Sequence, residues 1–545
     1  MPAPSQIPAT DPDARLWCTA LGLIGVATLL RLAFLLWVSP YELTADEAQY
    51  WDWSRHLELS YHTKGPGVAW TIAASAALFG HSEFAVRAPA VIAWAIMATA
   101  VAALARSIGN NERTGGRAAL WSVLITLAVP AYHATALLMT IDGPMLACWA
   151  LSGLAAWKLS QPSSVGGSLR WAFVLGAALG VGLLFKYTIL LILPGLAIFF
   201  WLTRGGRIKD LSAPLAVSAV LLLAGAAPIV VWNSQRGWPT LSHLLGHVHA
   251  AGGDIPVPAN APGYNPLWTL EFIAVQALLI GPIVIAMLLS LRCAGAESAH
   301  RSARTLALCA GIPVLVFYLG VSFRTDVEGN WPIAAWALFI PLLAASCVRE
   351  FDRYSRLVRE WLADPNRPRR GIFRRRPETA FQITVHWGIG YGLVGALGML
   401  CLVPLSQLPV VGRFVPIQRL TGARELAAAV VSASAASGPD DVFIVGARYT
   451  TTALLAFYLP RQPAVYCAGS RLGDRRSPYD DFPETDLASP SLLGRAAVLV
   501  DVTRGSTPER WARAVKFDTV RAVSRTGPYT IYLADRFAGP ARNPR

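Results

Sequence analysis

Long apolar stretches separated by short polar loops fill the first three quarters of the chain. A helix needs about 20 apolar residues to cross a hydrocarbon core of roughly 30 Å. The pattern therefore predicts a polytopic α-helical membrane protein with about eleven spans. They lie near residues 16–38, 84–105, 118–136, 143–157, 171–185, 188–202, 215–232, 267–291, 305–322, 331–348 and 383–408.

The composition agrees with this prediction, since 54% of the 545 residues are hydrophobic and only 15% are charged. A soluble protein of this length would need more charge to cover its surface. The first apolar stretch belongs to a longer membrane pattern and lacks a small-residue cleavage site. We therefore expect it to be retained rather than removed as a signal peptide.

The net charge of +14 is distributed unevenly between alternate loops. With the N-terminus in the cytoplasm, most Lys and Arg residues fall on the inside, including the run RPRRGIFRRRP at 367–377. This asymmetry follows the positive-inside rule. The basic excess then indicates topology and contact with anionic lipid headgroups, and we expect no nucleic-acid partner.

The same topology places positions 39–83, 233–266 and everything after about 409 outside. From about 421 the composition becomes that of a soluble domain, so we expect a transmembrane domain at 1–410 and a small α/β domain at 411–545. Strands are predicted at 440–447, 463–468, 496–502 and 529–537, and helices at 424–438, 451–459 and 508–515. No nucleotide-binding motif accompanies them.

Ionisable side chains from separate parts of the chain are predicted at the outer face. Ionisable groups near a membrane are costly unless they line a protein interior or a water-filled cavity, so this convergence indicates an active site there. The alternative for each one singly is an ordinary solvated side chain. The group consists of Asp46, Glu47, Asp52, His56, Glu58, His62, Lys64, Asp142, Lys186, Arg324, Asp326 and Glu328.

The stretch TADEAQYWDW (44–53) places two carboxylates side by side. Thr44 and Glu47 have the spacing of a capping box, in which the Glu side chain reaches back to the N-cap residue. Asp46 lacks such a structural role. The dipole of the helix start keeps a carboxylate ionised, which suits a general base or a cation ligand.

Two lysines stand out by their surroundings. Lys64 follows YHT and precedes Gly65-Pro66-Gly67, which fix a turn, so it can bind a lipid phosphate or extend its ammonium to the interface. Lys186, in GLLFKYTILL, has apolar neighbours, which favours an anionic partner. The alternative is that its ammonium extends to the membrane interface. The residues His243 and His247 share a helix-face spacing, but no third ligand completes a metal motif.

The order of these segments resembles the polyprenyl-phosphate-sugar-dependent glycosyltransferases of the GT-C class. The relatives are bacterial members of the protein O-mannosyltransferase-like superfamily, including the lipid A aminoarabinose transferase. The matching segments are Asp46-Glu47, YHTKGPGVAW, FGHSEFAVRAPA, MTIDGPMLACW, GLLFKYTILLILPG, WNSQRGWPTLSHLLGH and EGNWPIAAW.

The resemblance implies a GT-C fold and a sugar donor carried on a polyprenyl phosphate, with no nucleotide. Asp46 would act as the general base. Glu47 and Asp142 are the other candidate catalytic carboxylates. The relatives differ in metal dependence, so a divalent cation held by Asp46 and Asp142 stays open. Lys64, Lys186 and Arg324 would bind the donor phosphate. Substrate contacts are expected from Tyr50, His62, Glu83, Arg87, Glu328 and Asn330.

The implied acceptor is a hydroxyl of lipid A or another envelope glycan at the periplasmic face of a bacterial inner membrane. Two alternatives stay open at this point. One is a protein O-glycosyltransferase of the same class, and the other is a lipid-linked sugar flippase or transporter. Transport uses groups near the midplane of the membrane. Here Arg31 is the conspicuous ionisable residue deep in a predicted span.

Overall fold

The computed structural model describes ten segments of the chain. They are residues 11–109, 114–162, 164–247, 249–254, 263–292, 298–363, 376–413, 415, 417–435 and 442–541. The predicted basic run at 367–377 lies outside them except at its end, and so does the predicted end of the helix at 424–438, which is observed as Ala423–Ala435.

Helices dominate the first 406 residues. The longer α-helices are Pro12–Ala33, Ala45–Arg55, Gly67–Phe79, Glu83–Gly109, Gly115–Leu127, Asp142–Ser160, Val165–Phe185, Ile192–Arg204, Ser212–Gln235, Pro266–Ile280, Ser298–Val321, Phe339–Ala363 and Arg376–Leu400. The shorter ones are Pro130–Leu137, Pro239–His247, Ile283–Ser290, Ala334–Ala337 and Leu402–Ser406.

The chain is a multi-pass membrane protein. The described residues contain eight helices that are long and apolar enough to span a bilayer, or up to ten when each bent pair counts as one span. The bends are 72° between Gly115–Leu127 and Pro130–Leu137, and 93° between Pro266–Ile280 and Ile283–Ser290. Pro130 and Pro282 lie at these breaks, where a proline removes a backbone donor.

The predicted number of about eleven spans is therefore not confirmed. The stretch predicted at 143–157 forms the 19-residue helix Asp142–Ser160. This helix is buried along almost its whole length and carries Asp142 and Lys158 as well as two tryptophans. Protein surrounds it on all sides, so it needs no continuous apolar surface towards lipid.

The contacts divide the chain into two compact units. The first unit comprises Met1–Trp37, Ala90–Pro228 and Pro262–Leu400, and the second comprises Val38–Pro89, Ile229–Ala261 and Cys401–Arg545. The second unit thus combines the C-terminal segment with both predicted outer segments. A domain boundary at position 410 stays a prediction.

Close helix packing in the first unit relies on small residues. A Cβ atom added at Gly195 would overlap the carbonyl of Cys309, so the helices Ile192–Arg204 and Ser298–Val321 meet at backbone contact there. Small residues permit this approach between membrane helices. The buried Arg31 donates to His133 Nδ1 at 3.0 Å and lies 3.8 Å above the Trp94 ring, so its charge is held inside the unit.

The C-terminal part of the second unit carries a five-stranded sheet. Its strands are β1 Val442–Gly446, β2 Tyr466–Cys467, β3 Ala496–Val502, β4 Val515–Thr526 and β5 Tyr529–Pro540, in the order β2-β1-β3-β5-β4. β1 pairs in parallel with β2 and β3, whereas β5 pairs antiparallel with β3 and β4. Helices Tyr449–Tyr458 and Pro508–Ala512 connect strands.

The α/β composition of this domain is confirmed, but the edge strand β4 is absent from the sequence prediction. Its pattern is mostly exposed, with charged residues such as Lys516 and Arg521, so it lacks the apolar alternation that identifies a half-buried strand. The charges suit an edge, where they discourage pairing with another chain. The helix predicted at 508–515 is correspondingly shorter.

Candidate active site

The start of the helix Ala45–Arg55 positions Asp46. Thr44 is the N-cap, and its Oγ1 accepts from the Glu47 amide at 3.2 Å. Glu47 Oε2 in turn accepts from the Thr44 amide at 2.9 Å. The predicted capping box is therefore confirmed, and it fixes the first turn of the helix around Asp46.

Glu47 also forms an ion pair with Arg87 deep inside the second unit. Arg87 Nε and Nη2 donate to the two Glu47 oxygens, both at 2.8 Å, and the remaining donors reach the carbonyls of Tyr41 at 2.8 Å and Glu42 at 2.7 Å. Glu47 is 0% and Arg87 1% exposed. Neither side chain reaches a surface, and the catalytic role of Glu47 and the substrate contact of Arg87 stay predictions.

Asp46 differs from its neighbour because solvent reaches its side chain. The protein atoms crowded around it nevertheless desolvate the carboxylate, and this burial raises the pKa of Asp46 above the usual value for an aspartate. The nearby cations Lys64, Arg475 and Arg419 oppose that shift but do not cancel it. Desolvation is thus the largest influence on this carboxylate.

Lys64 is held on a compact turn. Its carbonyl accepts from the Tyr61 amide at 3.0 Å and from Ser60 Oγ at 3.3 Å. The Tyr61 ring stacks on Trp53 with centroids 4.5 Å apart, which ties the turn to the helix that carries Asp46. The glycine-proline-glycine turn predicted from the sequence leads directly into the helix Gly67–Phe79. A cation is thereby presented near the Asp46 carboxylate.

A chain of imidazoles and one carboxylate lies beside Lys64. Asp254 accepts from His62 at 3.1 Å and lies 3.3 Å from His243 Nδ1, while His243 and His247 approach at 3.0 Å. Burial, reinforced by Arg475, lowers the pKa of His243 to about 2, so its ring is neutral. Among the described residues no group of three or more His, Cys, Asp or Glu side chains is arranged to hold a metal ion.

Arg475 is a site residue that the sequence did not reveal. Its Nη1 lies 3.2 Å from His243 Nε2, its Nη2 donates to Tyr449 Oη at 3.2 Å, and its guanidinium lies 5.1 Å from the centre of the Tyr449 ring. It comes from the polar loop GDRRSPYD, more than 400 residues after Asp46, where a single sequence offers no signal for it.

The first unit contains a separate buried cluster. Lys186 Nζ donates to Asp142 Oδ1 at 2.6 Å, and Asn330 Nδ2 donates to Asp142 Oδ2 at 2.7 Å. Asp142 is 1% and Lys186 8% exposed. Asp142 begins the helix Asp142–Ser160 and Lys186 ends the helix Val165–Phe185, so two helix ends meet here. The anionic partner that Lys186 requires is Asp142.

The Lys186 ammonium and the Asn330 amide donate hydrogen bonds to the two carboxylate oxygens of Asp142. These are the oxygens with which Asp142 would bind a metal ion. A divalent cation at Asp142 would have to displace the Lys186 ammonium. The metal site suggested for Asp46 and Asp142 therefore lacks support from the partners of Asp142.

Four other predicted site residues have varied surroundings. Tyr50 is buried, and the centre of its ring lies 5.2 Å from the centre of the Trp53 ring. Glu83 accepts from Arg424 Nη2 and from Tyr458 Oη, both at 2.6 Å, so its carboxylate is used inside the second unit. Its substrate contact stays a prediction. Arg324 and Glu328 are exposed after the helix Ser298–Val321 in the first unit.

Comparisons with known sequences point to one group of membrane transferases. A family model described as dolichyl-phosphate-mannose-protein mannosyltransferase matches residues 63–232. The lipid A galacturonosyltransferase RgtD of Rhizobium johnstonii is 28% identical over 319 residues, which cover 56% of this chain and 62% of that protein. The undecaprenyl phosphate-alpha-4-amino-4-deoxy-L-arabinose arabinosyl transferase of Serratia proteamaculans is 30% identical over 245 residues, or 44% of this chain and 42% of that protein.

Solved structures extend the likeness to nearly the whole chain. ArnT from Cupriavidus metallidurans in the apo state superposes with a TM-score of 0.60 at 15% identity, covering 95% of this chain and 98% of that one. The same protein bound to undecaprenyl phosphate gives a TM-score of 0.60 at 16% identity, covering 94% and 97%. The fold is therefore GT-C, as the sequence resemblance implied.

The Glu47–Arg87 ion pair yields a stability prediction. We expect Arg87→Met to lower the free energy of unfolding by about 3–5 kcal/mol, because it leaves a buried carboxylate without its partner. Thermal unfolding of the purified protein in detergent, followed by tryptophan fluorescence, measures the change. The double variant Glu47→Leu/Arg87→Met should recover part of the loss, since no charge is then buried.

Arg236→Met provides the matched control. Arg236 pairs with Glu58 at 3.2 Å, and both side chains are about one-third exposed. Its loss should cost no more than about 1 kcal/mol. Equal losses for the two single arginine variants would contradict a special role of the buried pair.

Proposed function

We propose that this chain, a GT-C membrane protein related to the lipid A sugar transferases, is an inverting glycosyltransferase. It moves a sugar from a polyprenyl phosphate to a hydroxyl of an envelope glycolipid. The active site and the C-terminal domain face the periplasm, which the distribution of basic loops supports. One of the relatives, the galacturonosyltransferase, is named for lipid A, and lipid A or its glycan is the acceptor proposed here.

One observation carries the proposal: an accessible carboxylate with a raised pKa lies among cations on a fixed helix start. Asp46 supplies the carboxylate, and Lys64 and Arg475 supply neighbouring positive charges. A general base with a pKa nearer the working pH transfers protons more efficiently. The cations suit a substrate with a phosphate group.

The reaction then proceeds in a single displacement. Asp46 takes the proton of the acceptor hydroxyl as that oxygen attacks the anomeric carbon of the sugar. The bond between this carbon and the phosphate oxygen breaks, and the electron pair leaves with the polyprenyl phosphate. Because the new bond forms on the face opposite the departing one, the configuration inverts. Acid–base assistance of this kind contributes roughly 10²- to 10⁴-fold to the rate.

Charge stabilisation of the leaving phosphate is the second component. Lys64 is the proposed cation, since its rigid turn limits the reorganisation needed when negative charge develops. The Lys186 ammonium, oriented by Asp142 and indirectly by Asn330, is proposed to bind the donor phosphate as well. Arg324 is exposed and is proposed as an assisting cation. Tyr50, His62 and Glu328 stay predicted substrate contacts.

A transporter is the less favoured function. Its natural coupling group would be an ionisable residue deep in a span, and the candidate is Arg31. His133 and the Trp94 ring contact this guanidinium inside the first unit. A protein acceptor uses the same chemistry as a glycolipid acceptor, and glycan analysis of the cell envelope distinguishes the two.

The function is tested by mass analysis of envelope glycolipids from cells with and without the protein. We expect one sugar increment to disappear without it, and the mass of that increment identifies donor and acceptor. Asp46→Asn should fail to restore it and should lower the transfer rate in vitro by about 10²-fold or more.

Glu58→Gln is the matched control for this experiment, because Glu58 pairs with the exposed Arg236 in the same unit. It should restore the increment. Near-wild-type transfer by folded Asp46→Asn would remove Asp46 as the base, and an unchanged glycolipid profile would refute the acceptor class.

The raised pKa of Asp46 predicts the pH dependence of transfer. A base works only when deprotonated, so kcat/KM should fall as the pH drops through the pKa of Asp46, above the usual value near 3.9. Arg475→Gln removes a cation that lowers this pKa, so the fall of kcat/KM at acidic pH should move to higher pH. Arg236→Gln should leave the pH of this fall unchanged. An unchanged pH profile in Arg475→Gln would argue against Asp46 as the titrating base.

Metal dependence can be tested separately. Because Lys186 and Asn330 donate to the Asp142 carboxylate, we expect transfer to persist after treatment with EDTA and removal of the chelated ions. Loss of activity that Mg²⁺ or Mn²⁺ restores would contradict this and would reinstate the carboxylates as metal ligands.

A further inference from the structure

A polar cavity lies in the first unit, and Asp142 is not among the residues that line it. Its volume is about 730 Å³. The ends of three helices, Glu83–Gly109, Gly115–Leu127 and Ser298–Val321, and the middle of a fourth, Phe339–Ala363, line it. Gly115–Leu127 runs from this cavity into the bent segment Pro130–Leu137, and Asp142 follows that segment.

The helix Phe339–Ala363 shows where the membrane surface lies. Its residues from Phe339 to Val348 are buried and almost entirely apolar, and charged residues begin at Arg349. A helix whose residues turn from apolar to charged leaves the hydrocarbon core near the first charged residues. The cavity, which extends from Ala345 to Arg359 along this helix, thus lies at the level of lipid phosphate groups.

The cavity has an excess of positive charge. Arg349, Arg356 and Arg359 line it, together with Asp352. Asp352 is neutralised by Arg117, which donates to both its oxygens at 2.7 Å. Buried Glu350 lies 3.6 Å from Arg349 and balances part of that charge. The charges of Arg356 and Arg359, one helical turn apart, are then in excess.

The opposite part of the lining is apolar. Ile108, Ala118, Ala345 and Val348 contribute to it. The cavity volume falls within the range of roughly 300–1,000 Å³ that is typical of small-molecule sites. A basic rim above an apolar floor matches a phospholipid, with its charged phosphate next to its acyl chains.

We propose that this cavity binds the headgroup of an anionic phospholipid. Arg356 and Arg359, with Arg349, contact the phosphate oxygens, and the apolar floor packs against the first carbon atoms of the acyl chains. The proposal concerns lipid binding alone and does not rest on the proposed transfer reaction. A free phosphate shares the recognition chemistry of the headgroup, so the experiment includes both.

Binding is measured on the full-length protein in detergent by native mass spectrometry, with phosphatidylglycerol, phosphatidylcholine and inorganic phosphate as probes. We expect retention of phosphatidylglycerol in preference to phosphatidylcholine. The variant Arg349→Gln/Arg356→Gln/Arg359→Gln should bind phosphatidylglycerol more weakly by about fivefold for each guanidinium removed.

The charge-matched control is Arg170→Gln/Arg207→Gln/Lys209→Gln, which removes three exposed cations elsewhere in the first unit. It should retain phosphatidylglycerol. Equal losses in both triple variants would show diffuse membrane electrostatics and overturn the site. Displacement of the lipid by millimolar inorganic phosphate would overturn the lipid assignment in favour of a soluble phosphate ligand.

A second variant tests the site in case the triple arginine variant fails to fold. Ser355→Trp fills the cavity from an exposed lining position and keeps every cation. It should reduce phosphatidylglycerol retention at least tenfold while the protein still unfolds cooperatively. Unchanged retention in folded Ser355→Trp would overturn the proposal. The experiment measures lipid binding, so its result is valid even if the proposed transferase activity is absent.

Discussion

The ion pair between Glu47 and Arg87 is the interaction on which the arrangement of the second unit depends. It joins the first turn of the helix Ala45–Arg55 to a residue 40 positions later, and Arg87 also binds the carbonyls of Tyr41 and Glu42. The Arg87 guanidinium thus holds both the segment that precedes the helix and the first turn of the helix. A buried pair of this kind is costly to break because the remaining charge has no solvent. Its consequence is a fixed position for Asp46.

Asp46 shows how desolvation and nearby charge compete at one carboxylate. The helix start and the cations Lys64 and Arg475 favour the ionised form, whereas the surrounding protein disfavours it, and the second effect is larger. The result is a carboxylate that is accessible to a substrate and more basic than an exposed aspartate. Its neighbour Glu47 has the opposite surroundings, since it is fully buried and both of its oxygens are paired with Arg87. Adjacent acids in one turn therefore have different environments.

Two buried charged groups of the first unit, Asp142 and Arg31, contact other protein side chains. Asp142 binds Lys186 and Asn330, and Arg31 is held between His133 and Trp94. Ionisable groups in a membrane protein persist where protein partners replace water. At the cavity near Arg356 and Arg359, positive charge exceeds negative charge, and a lipid phosphate would supply the balance. The same rule thus explains the satisfied clusters and motivates the proposed lipid site.

The sequence by itself determined the features that depend on local pattern. Apolar stretches identified most of the spans, the shift in composition identified the C-terminal α/β domain, and the spacing of Thr44 and Glu47 identified the capping box. Tertiary structure decided which distant side chains meet. It paired Glu47 with Arg87, assigned Asp142 to Lys186, brought Arg475 near Asp46, and added the polar edge strand β4. These outcomes depend on burial and on contacts between residues far apart in sequence, and neither is encoded in hydrophobic periodicity.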